Sequence, residues 1–214
     1  MKHIRKITLL CLILSILVLT SCGVTIHEGI GEGDAMDKSN NVTWYHASTC
    51  YEAVTLAEKA GKLIVKDREL VLYALPQMDP GKWLATEDAN ILYAEGVTLP
   101  TLRDMEPTAL NFYLDGTAKY KLFELKEEAL LNTIIKDYSE NQSVLYPAST
   151  PYKTYCVRFA SETYPDLYYT LTYVEYASDY IIGDANYGKY FLYDRFDQKF
   201  VPVGDEIHKA IGIE

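Results

Sequence analysis

The chain has 214 residues, with 20 basic side chains against 30 acidic ones and a formal charge of −10. An acidic surface is repelled by phosphate, which excludes nucleic acid as a partner and weakens any purely electrostatic hold on anionic lipid. Hydrophobic residues make up 49% of the chain, and the roughly 170 residues beyond position 44 suffice for one well-buried core or two small lobes.

The chain opens on Lys2, Arg5 and Lys6, followed by an almost wholly apolar run from Ile7 to Leu19 and then Thr20-Ser21-Cys22. That run is about 13 residues, too short for a hydrocarbon core that takes roughly 20 helical residues to cross. Its length suits the apolar core of an export signal. The order of charge, greasy segment, small residues and cysteine resembles a bacterial lipoprotein signal peptide with its lipobox. The resemblance covers residues 1–22 only. It implies cleavage before Cys22, a diacylglyceryl thioether on its sulfur, and a domain facing outward from a membrane. Removing Lys2, Arg5 and Lys6 would leave 17 basic against 30 acidic residues, a charge of −13.

Residues 22–43 are rich in glycine and acids and hold no hydrophobic period, so they read as a flexible tether. His27 falls there and is expected to be solvated. Next, Thr49-Cys50-Tyr51-Glu52 has the capping-box form, followed by Ala53, Val54, Leu56, Ala57 and Ala60 and then Gly61. This predicts a short helix over 50–60. Strands are predicted over 62–65 and 70–75, with a turn at Asp79-Pro80-Gly81 and a hairpin pairing 83–85 with 91–93. The clearest local signal is Asp115-Gly116 between 110–114 and 120–125, since Asp-Gly tolerates the positive φ of a tight hairpin. Glu127 and Glu128 then open an amphipathic helix with Leu130, Leu131, Ile134, Ile135 and Tyr138 on one face.

Residues 139–151 are polar and carry prolines, the best internal boundary. Beyond them strands are predicted over 154–160, 167–174, 178–183, 189–193 and 200–203, with a last short helix through Ile211. The expected fold class is α+β, a mostly antiparallel β-sheet with two or three short helices. The expected organisation is a signal peptide (1–21), a tether (22–43), an N-terminal α+β lobe (44–139) and a tyrosine-rich β lobe (140–214).

Twelve of the 19 tyrosines lie between Tyr146 and Tyr193. Tyrosine supplies contact area at low entropy cost, so Tyr168, Tyr173 and Tyr176 are the candidate ligand contacts, weighed against the ordinary use of tyrosine as a strand filler. Once Cys11 leaves and Cys22 is lipidated, Cys50 and Cys156 remain, expected either as a bridge or as two buried thiols. Phosphate-binding glycine loops, G-x-S-x-G, S-x-x-K and H-E-x-x-H are absent from the sequence. His46 and His208 stand far apart, and Asp184-x-Asn186-x-Gly188 fits a hairpin turn better than a calcium loop. No cofactor or metal is expected.

The reading that follows is a lipid-anchored envelope protein with a non-enzymatic binding role. Its partners are the membrane, through Cys22, and a membrane protein, peptide or glycan. The alternatives are an envelope hydrolase built on the carboxylates Asp104 and Glu106, and a sensory accessory lipoprotein.

Overall fold

A computed structural model describes residues 23–28, 34–37, 41–48, 50–66, 68–114, 120–147 and 149–212. The segment read as a signal peptide, Cys22, Thr49 and the expected Asp115-Gly116 turn lie outside them. The described chain forms two compact units, each with its own core.

The first unit is a closed β-barrel. Its strands are β1 (Val24–Glu28), β2 (Asp34–Asp37), β3 (Val42–His46), β5 (Lys59–Val65), β6 (Arg68–Tyr73), β7 (Trp83–Thr86) and β8 (Ile91–Ala94), in the order β1-β2-β3-β8-β7-β6-β5. The parallel pair β1·β5 closes the ring, with Val24 opposite Gly61. Strand alternation sends one side chain in two inward. Ile26, Trp44, Leu63, Leu72, Leu84, Leu92 and Ala94 fill the interior, supplied by six of the seven strands. The strands expected over 62–65 and 70–75 pair here as β5 and β6, and the hairpin expected between 83–85 and 91–93 is β7 beside β8. Residues 24–28 and 34–37, read from the sequence as tether, are barrel strands instead. Ile26 is completely buried, and sparse apolar residues suffice where the neighbouring strands provide the rest of the core.

The second unit is an antiparallel sheet in the order β10-β9-β11-β12-β15-β16, with β4 (Tyr51–Ala53) pairing the first half of β12. These strands are β9 (Pro107–Leu114), β10 (Lys121–Leu125), β11 (Lys153–Ser161), β12 (Leu167–Glu175), β15 (Tyr190–Asp194) and β16 (Lys199–Pro202). A small hairpin, β13 (Ile181–Ile182) and β14 (Ala185–Asn186), turns through Gly183 at φ 59°. Asn186 accepts from the amide of Gly188 and donates to Asp179, as a turn residue should.

Helix α1 (Glu128–Glu140) covers one sheet face with Leu131, Ile134, Ile135 and Tyr138, close to the face its spacing predicts. Tyr138 meets Tyr169 edge-on at 6.3 Å, and Tyr169 meets Tyr51 at 5.2 Å. Helix α2 (Glu206–Ile211) buries Ile207 and ends on Gly212 at φ 62°.

The expected α+β class is corrected by this architecture. Among the described residues sixteen strands stand against two helices, and one sheet closes on itself, so the fold is mostly β. The helix expected over 50–60 is the clearest loss. Its would-be capping carboxylate, Glu52, forms an ion pair with Arg158 of β11 instead. Pairing of β4 with β12 satisfies the backbone that a lone turn of helix would leave half-bonded. The compact units also divide the chain differently from 44–139 and 140–214. Residues 47–55, 89–91 and 96–214 share one unit, because β9 pairs β11 across the polar 139–151 segment.

Candidate functional site

Two of the three candidate tyrosines belong to the core. Tyr173 is completely buried and Tyr176 is 5% exposed, so neither presents a ring to a partner. Tyr176 sits in an aromatic cluster with Val174, Phe191 and Phe200, over which Tyr146 packs 4.8 Å from Phe200. Burial pushes the phenols of Tyr173 and Tyr176 well above the ordinary tyrosine range. Tyr168 is half-buried beside Arg158, whose guanidinium lies 4.7 Å from the Tyr113 ring and 5.6 Å from that of Tyr168. The cation is thus held between two π faces and the Glu52 carboxylate, a structural clamp.

Cys50 and Cys156 are not bridged to each other. The register explains why the considered bridge is not made: Cys156 on β11 faces Thr172, whereas the Cys50 carbonyl accepts from Thr170 on the far edge of β12. A whole strand separates them, so their spacing is about two interstrand distances, roughly 10 Å and beyond disulfide reach. Burial pushes the Cys50 thiol up to about 11 despite its contact with the Ser48 hydroxyl, which makes it a packing residue rather than a nucleophile.

His208 is held by a carboxylate that the sequence reading missed. Its Nδ1 lies 3.2 Å from Oε2 of the buried Glu175, and its ring stacks near Tyr190 at 5.1 Å. Asp205, on the same short helix segment, pairs with Lys209. The carboxylates Asp104 and Glu106 are engaged separately. Asp104 accepts from the amide and hydroxyl of Thr101, which hold it below the usual carboxylate range. Glu106 accepts from Thr163 and sits at φ 48°, an uncommon backbone for a residue with a Cβ.

Glu106 nevertheless lines a groove of about 660 Å³ in the second unit. One wall is α1, through Glu128, Leu131, Asn132, Ile135, Lys136 and Glu140; the other is Arg103, Glu106, Pro107 and Thr108, with Lys126 at the start of the helix. The volume lies in the range of small-ligand sites. Three cations face three carboxylates, so the groove is electrically balanced in a chain that is strongly acidic. Arg103 and Glu140 pair across one end at 2.9 Å, and Lys126 pairs with Glu124 at 3.2 Å at the other. The polar line 128/132/136/140 could have been read from the sequence, since i, i+4 spacing puts those residues on one helix face. What it faces could not.

No protein-family model, curated protein or solved structure matches this chain.

Proposed function

We propose that this chain is a lipid-anchored envelope lipoprotein whose outward-facing part binds a partner in the α1 groove without performing chemistry on it. The observation that carries the reading is Leu19-Thr20-Ser21-Cys22, closing a short apolar run behind a basic start. A diacylated sulfur holds a protein to a bilayer far better than one chain does, and an acidic body gains nothing from anionic headgroups. The groove supports a binding role because it is open, mixed in charge and floored by apolar side chains. The engagement of Asp104 with Thr101 and of Glu106 with Thr163 supports binding over carboxylate hydrolysis.

Metabolic labelling with an alkyne palmitate tests the anchor. Label is expected on the wild-type protein and lost in Cys22→Ser, with the uncleaved precursor accumulating. A native protein that starts at Met1 or carries an unmodified Cys22 would sink the reading.

A further inference from the structure

We infer that the α1 groove takes a short peptide with free termini, held extended along the helix. This deepens the binding role proposed above and rests on the groove being its site.

Three features choose the ligand. The first is charge placement. Glu128 and Lys136 both line the groove, and neither forms an ion pair among the described residues. They stand eight residues apart on one helix face, about 12 Å at a rise of 1.5 Å per residue. A carboxylate and an ammonium at that separation complement an ammonium and a carboxylate at the same distance. An extended chain covers about 3.3–3.6 Å per residue, so three or four residues reach from one to the other. Free termini are the groups that carry those two charges on any peptide.

The second feature is the middle of the line. Asn132 lies one helical turn from each charge and lines the same groove. Its amide donates and accepts at once, which matches a backbone peptide group. Leu131 and Ile135 border it but are 2% and 7% exposed, so the charges and the amide, not apolar surface, are what the groove presents.

The third feature separates peptide from glycan. Sugar rings are gripped by stacking on aromatic faces, and this chain has 27 aromatic residues. None lines the groove. Among the described residues six tyrosines are buried in the core, the exposed Tyr120, Tyr146 and Tyr152 lie outside the groove, and the groove offers charges and an amide instead.

The test uses the full lipidated chain in detergent micelles and isothermal titration. The probes are the tetrapeptide Ala-Leu-Leu-Ala with free termini, the same peptide acetylated and amidated, and chitotetraose. The free peptide is expected to bind saturably. Blocking the termini should weaken it at least ~10-fold, the loss expected for charge-assisted bonds. Glu128→Gln should weaken the free peptide about as much, and so should Lys136→Gln. Both side chains are exposed, so unchanged thermal midpoints will show that the variants fold. Equal binding of free and blocked peptides would overturn the terminal-charge assignment. Chitotetraose binding lost in Asn132→Ala, with no peptide bound, would overturn the peptide class and leave the binding role standing. Failure of every probe to bind would overturn the peptide assignment, and Cys22 labelling still reports separately on the anchor.

Discussion

At the residue scale the sharpest constraint in the barrel is Gly61. A Cβ built there would lie 2.1 Å from the carbonyl oxygen of Val24 on the paired strand, a distance no real contact adopts. The need is steric: β1 and β5 approach too closely at that step for any side chain. Gly61→Ala should therefore cost about 1–3 kcal/mol, the range for forcing volume into a packed site, read as a lower denaturant midpoint at unchanged m-value. An unchanged midpoint would mean that β1 does not close the barrel against β5.

The buried tyrosines set a second residue-scale expectation. Tyr51, Tyr138 and Tyr169 meet in the second unit, and burial raises all three phenols far above the ordinary value near 10. A group whose folded-state pKa is raised contributes stability that is complete below its unfolded pKa and is lost as the pH climbs past it. Stability should thus hold flat to about pH 9 and fall steadily above about pH 10. Absorbance at 295 nm should show these phenols ionising only as near-UV ellipticity is lost. Full phenolate formation with tertiary structure intact would refute the burial of these rings.

At the element scale β4 is the informative piece. Its three residues are too few to be stable alone, and Glu52 ties them to the sheet through Arg158. Both partners are mostly shielded, 18% and 25% exposed, so removing one leaves the other charge poorly solvated. Glu52→Ala should destabilise by about 1–3 kcal/mol, less than for a fully buried pair because some water reaches it. Replacing both with leucine should recover much of that loss, since the penalty comes from the stranded cation. Urea denaturation of the two variants distinguishes the cases. A double variant as weak as the single one would place the effect in packing instead.

The same element shows why local signals failed. Thr-x-x-Glu followed by alanines is a fair helix start by propensity, yet it competes with a waiting strand edge on β12. The edge offers partners to the backbone and to the carboxylate together. Helix α1 was legible for the opposite reason: its 13 residues are long enough for apolar spacing to dominate, and its buried face of Leu131, Ile134, Ile135 and Tyr138 nearly coincides with the expected one. The hairpins behaved likewise, because a turn and its flanking strands are local in sequence.

At the scale of the whole molecule, the chain passes between the two units several times. Residues 47–55 and 89–91 lie in the second unit, while the residues between them belong mainly to the barrel. The polar segment 139–151 looks like a linker, yet β9 before it pairs with β11 after it over seven positions from Tyr155 to Ser161. A cut there opens the sheet along its middle and exposes Val157 and Phe159, both completely buried in the intact protein. Residues 140–214 expressed alone should therefore give a collapsed, poorly dispersed NMR spectrum and no cooperative melt. A sharp transition from that fragment would restore the boundary at 139–140 as a domain border.

Residues 1–22 alone carry the targeting reading, because a charge, an apolar length and a cysteine act through composition and order. The hairpins, α1 and the absence of familiar catalytic spacings were likewise written along the chain, in contacts a few residues long. Closure of the barrel, the transfer of Glu52 to Arg158, the sinking of Tyr173 and Tyr176 into the core, and the wall opposite α1 were decided only in three dimensions. Each joins residues tens of positions apart, and a linear pattern records which side a residue prefers, never what waits on that side.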